Sequence, residues 1–147
     1  MLFRRSKNNL GVPHKVNAIA GDGNCFFRTI SYELCGTAEH HLHVRAAVVQ
    51  FMSADANAQM FSDYISKTVT TYLCDTQMAN DGTWATDVEI VATATLLQTT
   101  IYVFSDVNCQ RRWYKYKALL SKEDGCYNQN IYITNVNQHF ERVVDVQ

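Results

Sequence analysis

The sequence predicts an α+β sandwich, a mostly antiparallel sheet packed against helices, and three observations lead there. Helically spaced apolar residues fill the first two thirds of the chain. Runs rich in aromatic and β-branched residues, each of strand length, fill the last third. The 147 residues are 47% hydrophobic and 18% charged, with a single proline and six glycines, which is the balance of a folded core rather than of a linker. Helices followed by strands, rather than strictly alternating with them, favour an α+β layering. The length suits one domain over 1–147.

Residues 1–17 read as an extended lead-in, because Gly11, Pro13 and Asn17 interrupt any helix. From Cys25 to about Leu34, Phe26, Phe27, Ile30 and Leu34 follow helical spacing, and Gly36 stands near the expected end. A second amphipathic run, His40 to Met52, carries Leu42, Val44, Ala47, Val48 and Phe51. A third helix is expected from about Ala56 to Cys74, with Phe61, Tyr64, Ile65, Val69 and Tyr72 inward, although Thr68, Thr70 and Thr71 are β-branched. Asn80-Asp81-Gly82-Thr83 is a turn, and Thr86 followed by Glu89 is a capping-box pattern opening a helix to about Gln98. Strands are expected at Ile101–Phe104, Trp113–Tyr116, Ile131–Thr134 and Glu141–Val144, the turn Ser105 to Cys109 joining the first two.

Charge narrows the partners. A formal net charge of -1 leaves no basic stripe for phosphate backbones, so no nucleic acid is expected. No run approaches the ~18 apolar residues of a membrane span, and the basic first residues lack the apolar core of about 7–15 residues that a secretory signal needs. Five cysteines (25, 35, 74, 109 and 126) without short paired spacing suggest neither a disulfide framework nor a zinc site. A reducing compartment fits this usage: the cytoplasm, or a host cytosol for an exported protein.

Asp22-Gly23-Asn24-Cys25-Phe26-Phe27-Arg28 places one cysteine where a turn meets a helix start. Unpaired N–H groups and the positive end of the helix favour thiolate there, and the same N–H groups can bind an oxyanion. A buried structural thiol is the plain alternative. Nucleophilic catalysis also needs a base, and five histidines compete for that place: 14, 40, 41, 43 and 139. His139 stands in a polar loop between two expected strands. His40, His41 and His43 open a helix, with no cysteine or carboxylate at ligand spacing, so no metal site is expected. Glu141, two residues after His139, shares its face in extended backbone, where its carboxylate can hold the imidazole tautomer.

The block Asp22 to Arg28 closely resembles the nucleophile signature of the ovarian tumour (OTU) family of cysteine proteases, which remove ubiquitin from proteins. Trp84 with Glu89-Ile90 and Ala92, then Ile101–Phe104, resembles the family's helix-then-strand segment, and Gln138-His139-Phe140-Glu141-Arg142-Val143 its histidine block. The resemblance implies a papain-like OTU fold with Cys25 as nucleophile and His139 as base and then acid. Asp22 becomes the motif acid whose loop helps build the oxyanion hole, with the N–H groups of Asp22, Gly23, Asn24 and Cys25 as nominated donors. Glu141 departs from the Asp or Asn that many relatives carry, so Glu141, Asn137 or Asn17 is left to orient His139. Arg28 is expected to anchor a loop. Trp84 either packs on the core or shapes a channel for the substrate tail.

The function implied is thiol-dependent hydrolysis of the isopeptide bond after ubiquitin's C-terminal glycine, in ubiquitin or polyubiquitin, through a Cys25 thioester and without cofactor or metal. Two alternatives share these residues: a non-catalytic ubiquitin-binding module, and a cysteine hydrolase acting on a ubiquitin-like modifier.

Overall fold

The computed structural model describes residues 11–106, 110–121 and 129–146. The first ten residues, most of the expected turn Ser105 to Cys109, and the thiols Cys109 and Cys126 lie outside them.

The segment that opens at Cys25 forms helix α1 (Cys25–Cys35), which buries Phe26, Phe27 and Ile30 and ends at Gly36. Gly36 has φ 74°, the left-handed value that a glycine adopts at no steric cost. After a 3-10 turn at Ala38–His40, helix α2 (His41–Ser53) turns a different face inward from the one its apolar residues suggest. Arg45, Val48 and Met52 are buried, whereas Leu42 is 49% exposed. The expected third helix is two: α3 (Asp55–Ile65) and α4 (Val69–Thr76). Ser66 ends the first at φ 68°, and the Thr68 hydroxyl caps the second by accepting from Thr71 N–H at 3.1 Å. A threonine at the break is therefore a cap rather than a poor helix-interior residue.

Helix α5 (Asp87–Leu97) opens on the expected capping box. Thr86 accepts from Val88 N–H at 3.1 Å, and Glu89 Oε1 accepts from Thr86 N–H at 2.7 Å. Glu89 through Thr95 are all buried, so α5 is a central helix rather than an amphipathic one. Its polar members are satisfied locally: Thr93 and Thr95 donate to the carbonyls of Glu89 and Val91. Glu89 Oε2 accepts from the Tyr72 hydroxyl at 2.7 Å, which ties α4 to the start of α5.

The sheet comprises β1 (Pro13–Asn17), β2 (Ile101–Ser105), β3 (Arg112–Tyr116), β4 (Ile131–Val136) and β5 (His139–Val146), in the order β1-β5-β4-β2-β3. The extended lead-in is thus an edge strand with β-irregularities, paired antiparallel to β5. Three of the four pairings are antiparallel, and β2 runs parallel to β4 with Ile101 opposite Ile131. Alternation divides the sheet into two faces. Ile101, Val103, Ile131, Ile133 and Phe140 join the core under the helices, while Tyr102, Tyr132 and Val143 cluster with Trp113 on the other side. A two-residue turn, Asn137 and Gln138 at φ 53° and 63°, joins β4 to β5 as the primed hairpin geometry requires.

Thr86→Ala removes the cap of α5 together with the hydroxyl's contacts to Glu89 and Tyr72. A loss of about 1–2 kcal/mol is expected, read from the midpoint of urea denaturation.

Candidate active site

Asp22 to Cys25 form one turn. Cys25 N–H donates to the Asp22 carbonyl at 3.2 Å, and Asn24, at φ -99° and ψ 4°, has the third-residue geometry of a type I turn. The Asp22 carboxylate closes it from the side, accepting from Asn24 N–H at 3.0 Å and from Arg28 Nη2 at 2.9 Å, with Arg28 Nε at 3.2 Å. Arg28 lies one helical turn beyond the cysteine and fixes the turn to α1, as expected. This bonding, led by the Arg28 contact, holds the Asp22 carboxyl below the usual carboxylate range.

Of the four nominated backbone donors, three are occupied within this segment. Asp22 N–H donates to the Ala20 carbonyl, Asn24 N–H to the Asp22 carboxylate and Cys25 N–H to the Asp22 carbonyl. Among the described residues, the Gly23 N–H has no acceptor.

Cys25 is 6% exposed, and its sulfur accepts from Phe140 N–H at 3.5 Å. The thiol therefore rests against the peptide that joins His139 to Phe140, across 115 residues of sequence. The same junction is secured by the Thr29 hydroxyl, 2.8 Å from the Cys25 carbonyl and 3.2 Å from that of Phe140, and by the edge-to-face rings of Phe26 and Phe140. His139 and Glu141 share a face of β5, with His139 Nε2 3.5 Å from Glu141 Oε2. That oxygen also accepts from Ile19 N–H at 3.2 Å, so the carboxylate is held from the segment leading to the nucleophile. Asn17, the other upstream candidate, directs its side-chain oxygen to Arg142 at 3.0 Å.

A second loop closes on the turn. Gly23 lies so near Gly82 that a Cβ there would overlap the Gly82 carbonyl and stand 2.7 Å from Cδ1 of Trp84. Asn24 reaches across the same gap, donating from Nδ2 to Asp81 at 2.7 Å and accepting at Oδ1 from Gly82 N–H at 2.9 Å. Beneath both loops is Arg45, 1% exposed. Its Nη2 lies 2.7 Å from Asn24 Oδ1, 2.9 Å from the Thr83 carbonyl and 3.4 Å from the Gly23 carbonyl, while Nη1 donates to the Met78 carbonyl at 2.9 Å. Trp84 itself is 54% exposed beside Gly23, on the surface rather than in the core.

A sequence model described as OTU-like cysteine protease matches residues 20–140, from just before the turn to the residue after His139. The chain belongs to this family. It is 29% identical over 144 residues to the OVARIAN TUMOR DOMAIN-containing deubiquitinating enzyme 7 of Arabidopsis thaliana, a match covering 84% of this chain and 37% of that protein. The chain thus spans little more than a third of that relative's length. Its fold is similar to the solved OTU domain of OTUD1, with a TM-score of 0.71 and 23% identity, covering 88% of this chain and 85% of that one. It is also similar to the Hazara virus OTU solved bound to ubiquitin, with a TM-score of 0.61 and 16% identity over 90% of this chain and 82% of that one. These neighbours establish the papain-like α+β architecture expected of an OTU domain.

The electrostatics of the OTU nucleophile segment oppose the simple helix-start argument. Burial raises the Cys25 thiol above its ordinary value, and the Asp22 charge adds to this. The N–H groups of Phe140, Phe26 and Cys25 pull the other way without overcoming it. The backbone N–H groups at the helix start contribute as anticipated, but desolvation outweighs them and favours the thiol over the thiolate. Cys35 and Cys74 are exposed free thiols with no part in this site. The sequence marks Asp81 only as part of a turn and gives Arg45 no role. The only available signal was one cation occupying the Val48 and Met52 face of α2 at i, i+3 and i+7 spacing.

Two outcomes are expected. Alkylation of Cys25 in the free protein should rise with pH through a midpoint above that of the exposed Cys35 and Cys74, as mapped by mass spectrometry of iodoacetamide adducts. Gly23→Ala should lower the melting temperature and displace the 80–83 loop, an effect visible in amide chemical shifts at Gly82 and Trp84.

Proposed function

We propose that this OTU domain hydrolyses the isopeptide bond after the C-terminal glycine of ubiquitin, with Cys25 as nucleophile. The observation that carries the reading is the seating of the Cys25 sulfur against the His139–Phe140 peptide, with His139 in turn beside Glu141. The backbone beside His139 thus meets the Cys25 sulfur, and the His139 ring has a carboxylate neighbour, which supports a nucleophile, base and orienting acid drawn from two distant segments.

Each step draws on that geometry. His139 has Nε2 toward Glu141, which leaves Nδ1 to take the proton of the Cys25 thiol. Burial favours the protonated thiol, so the base has a proton to remove. The thiolate attacks the carbonyl carbon, and the developing oxyanion accepts from Gly23 N–H, the nominated donor that has no internal partner. Asp22 acts through the turn: its carboxylate and carbonyl fix Asn24 and Cys25. As the C–N bond breaks, His139 returns its proton to the leaving lysine amine, and a thioester remains on Cys25. His139 then removes a proton from water, which attacks the thioester; ubiquitin departs as a carboxylate and the sulfur regains the proton.

The exposed Trp84 indole beside the turn gives the substrate an apolar surface, against which a slender double-glycine tail can lie. The ubiquitin-bound viral OTU among the structural neighbours and the deubiquitinating relative support ubiquitin as the partner. A reducing compartment, the cytoplasm or a host cytosol, suits a reaction that depends on a free thiol.

Ubiquitin propargylamide should label Cys25, and neither the probe nor chain cleavage should survive Cys25→Ala in a folded protein. His139→Ala should cost at least about a hundredfold in kcat/KM. Glu141→Gln keeps an acceptor for Ile19 N–H but loses the charge beside His139, so a smaller loss, about tenfold, is expected. Parallel assays on ubiquitin and on ubiquitin-like fluorogenic substrates decide the modifier: preference for a ubiquitin-like protein would replace ubiquitin in this reading.

A further inference from the structure

Arg45 is far more elaborately bonded than packing requires. A methionine or leucine would fill its place between α1, α2 and the 78–83 segment without bringing a charge out of water. Among the described residues the Arg45 Nε–H also has no acceptor, an unfavourable arrangement unless the distal fork has work to do. That fork divides between two directions. Nη1 holds the Met78 carbonyl, while Nη2 is shared among Asn24 Oδ1 and the carbonyls of Thr83 and Gly23. The guanidinium also stacks on Phe27, 4.3 Å from the ring centroid and two residues beyond the nucleophile. Desolvation disfavours the buried charge and lowers its pKa, and the carboxylates of Asp81, Glu89 and Asp22 oppose that cost.

Apart from the Met78 carbonyl, which lies just ahead of the 80–83 loop, every acceptor of the fork belongs to the 22–25 turn or to that loop. The Gly23–Asn24 peptide is fixed at both ends, its carbonyl near Arg45 and its N–H on Asp22. On the opposite loop, the Thr83 carbonyl precedes Trp84 directly in the chain. We propose that Arg45 is a positioning residue for the reaction: it clamps the 22–25 turn to the 80–83 loop, so that Gly23 N–H and the Trp84 indole keep one fixed placement around the nucleophile. Arg45 touches no reacting atom and acts through Asn24, Gly23 and Thr83. The kinetic consequence rests on the deubiquitinase reading, whereas the clamp itself does not.

Arg45→Lys keeps the charge but loses the planar fork, which an ammonium cannot reproduce toward two separate backbones. The full chain carrying this change is compared with wild type in three measurements: thermal melting, amide exchange by NMR, and turnover of a fluorogenic ubiquitin substrate per site titrated with ubiquitin propargylamide. Expected are a cooperative melt, exchange at the Asn24 and Gly82 amides at least about tenfold faster while α5 amides keep their protection, and KM within about threefold. With these, kcat should fall by about a hundredfold, as for a displaced catalytic group. A folded Arg45→Lys whose loop exchange and kcat both stay within about twofold of wild type overturns the proposal, and so does a loss confined to KM. If Arg45→Lys does not fold, Asn24→Ala, which removes one acceptor of the fork, must show the same kcat loss. An unchanged kcat there, or failure of that variant to fold as well, assigns Arg45 to stability alone and overturns the positioning role. A wild type that neither labels nor turns over ubiquitin defeats the deubiquitinase reading instead, and the clamp is then decided by the Asn24 and Gly82 exchange rates alone.

Discussion

The arrangement depends on how α1 meets β5. Around the Phe140 backbone, the N–H reaches the Cys25 sulfur, the carbonyl lies near the Thr29 hydroxyl, and the ring packs edge-to-face on Phe26. Arg142 extends the seam, holding Glu33 of α1 at 2.7 Å and Asn17 of β1 at 3.0 Å. Burial of Phe26, Phe27 and Ile30 supplies the main drive, about 2 kcal/mol for each such side chain, while the polar contacts set the register. A one-residue slip of β5 would exchange the Phe140 face for that of His139 and Glu141, so the seam that stabilises the fold also selects which residue follows the histidine onto the sulfur.

Much of this was legible in the sequence because local rules and tertiary demands agree. The helix beginning at Cys25, the Thr86 and Glu89 capping box, and four of the five strands follow from spacing and residue type. Arg28 reads as a loop anchor and is one. The remainder was hidden wherever a long-range partner decided the outcome. Strand β1 looks like a broken lead-in because only pairing with β5 makes it a strand. The 56–74 run looks continuous because its apolar residues keep helical period across Ser66 and Thr68.

Buried charge was the least visible feature. Binary patterning assigns a cation to the solvent side of a helix, and α2 puts Arg45 on the inner side instead. Glu89 is comparable: its cap role is written in the sequence, while its burial and its bond from Tyr72 are not. Burial raises the Glu89 carboxyl above its ordinary value, with N–H and hydroxyl donors opposing. Both residues sit beside the loops that border Cys25, where the backbone has polar groups to satisfy and no regular ladder to do it.

The burial of Cys25 bears on its oxidation as well. Peroxides attack thiolates, and the rate of sulfenic acid formation follows both ionisation and access. A thiol raised by desolvation and seated under a backbone N–H presents little of either, whereas the exposed Cys35 and Cys74 offer access. Burial therefore shields the sulfur nearest the sheet from oxidants, and the exposed thiols of Cys35 and Cys74 are the ones an oxidant meets first.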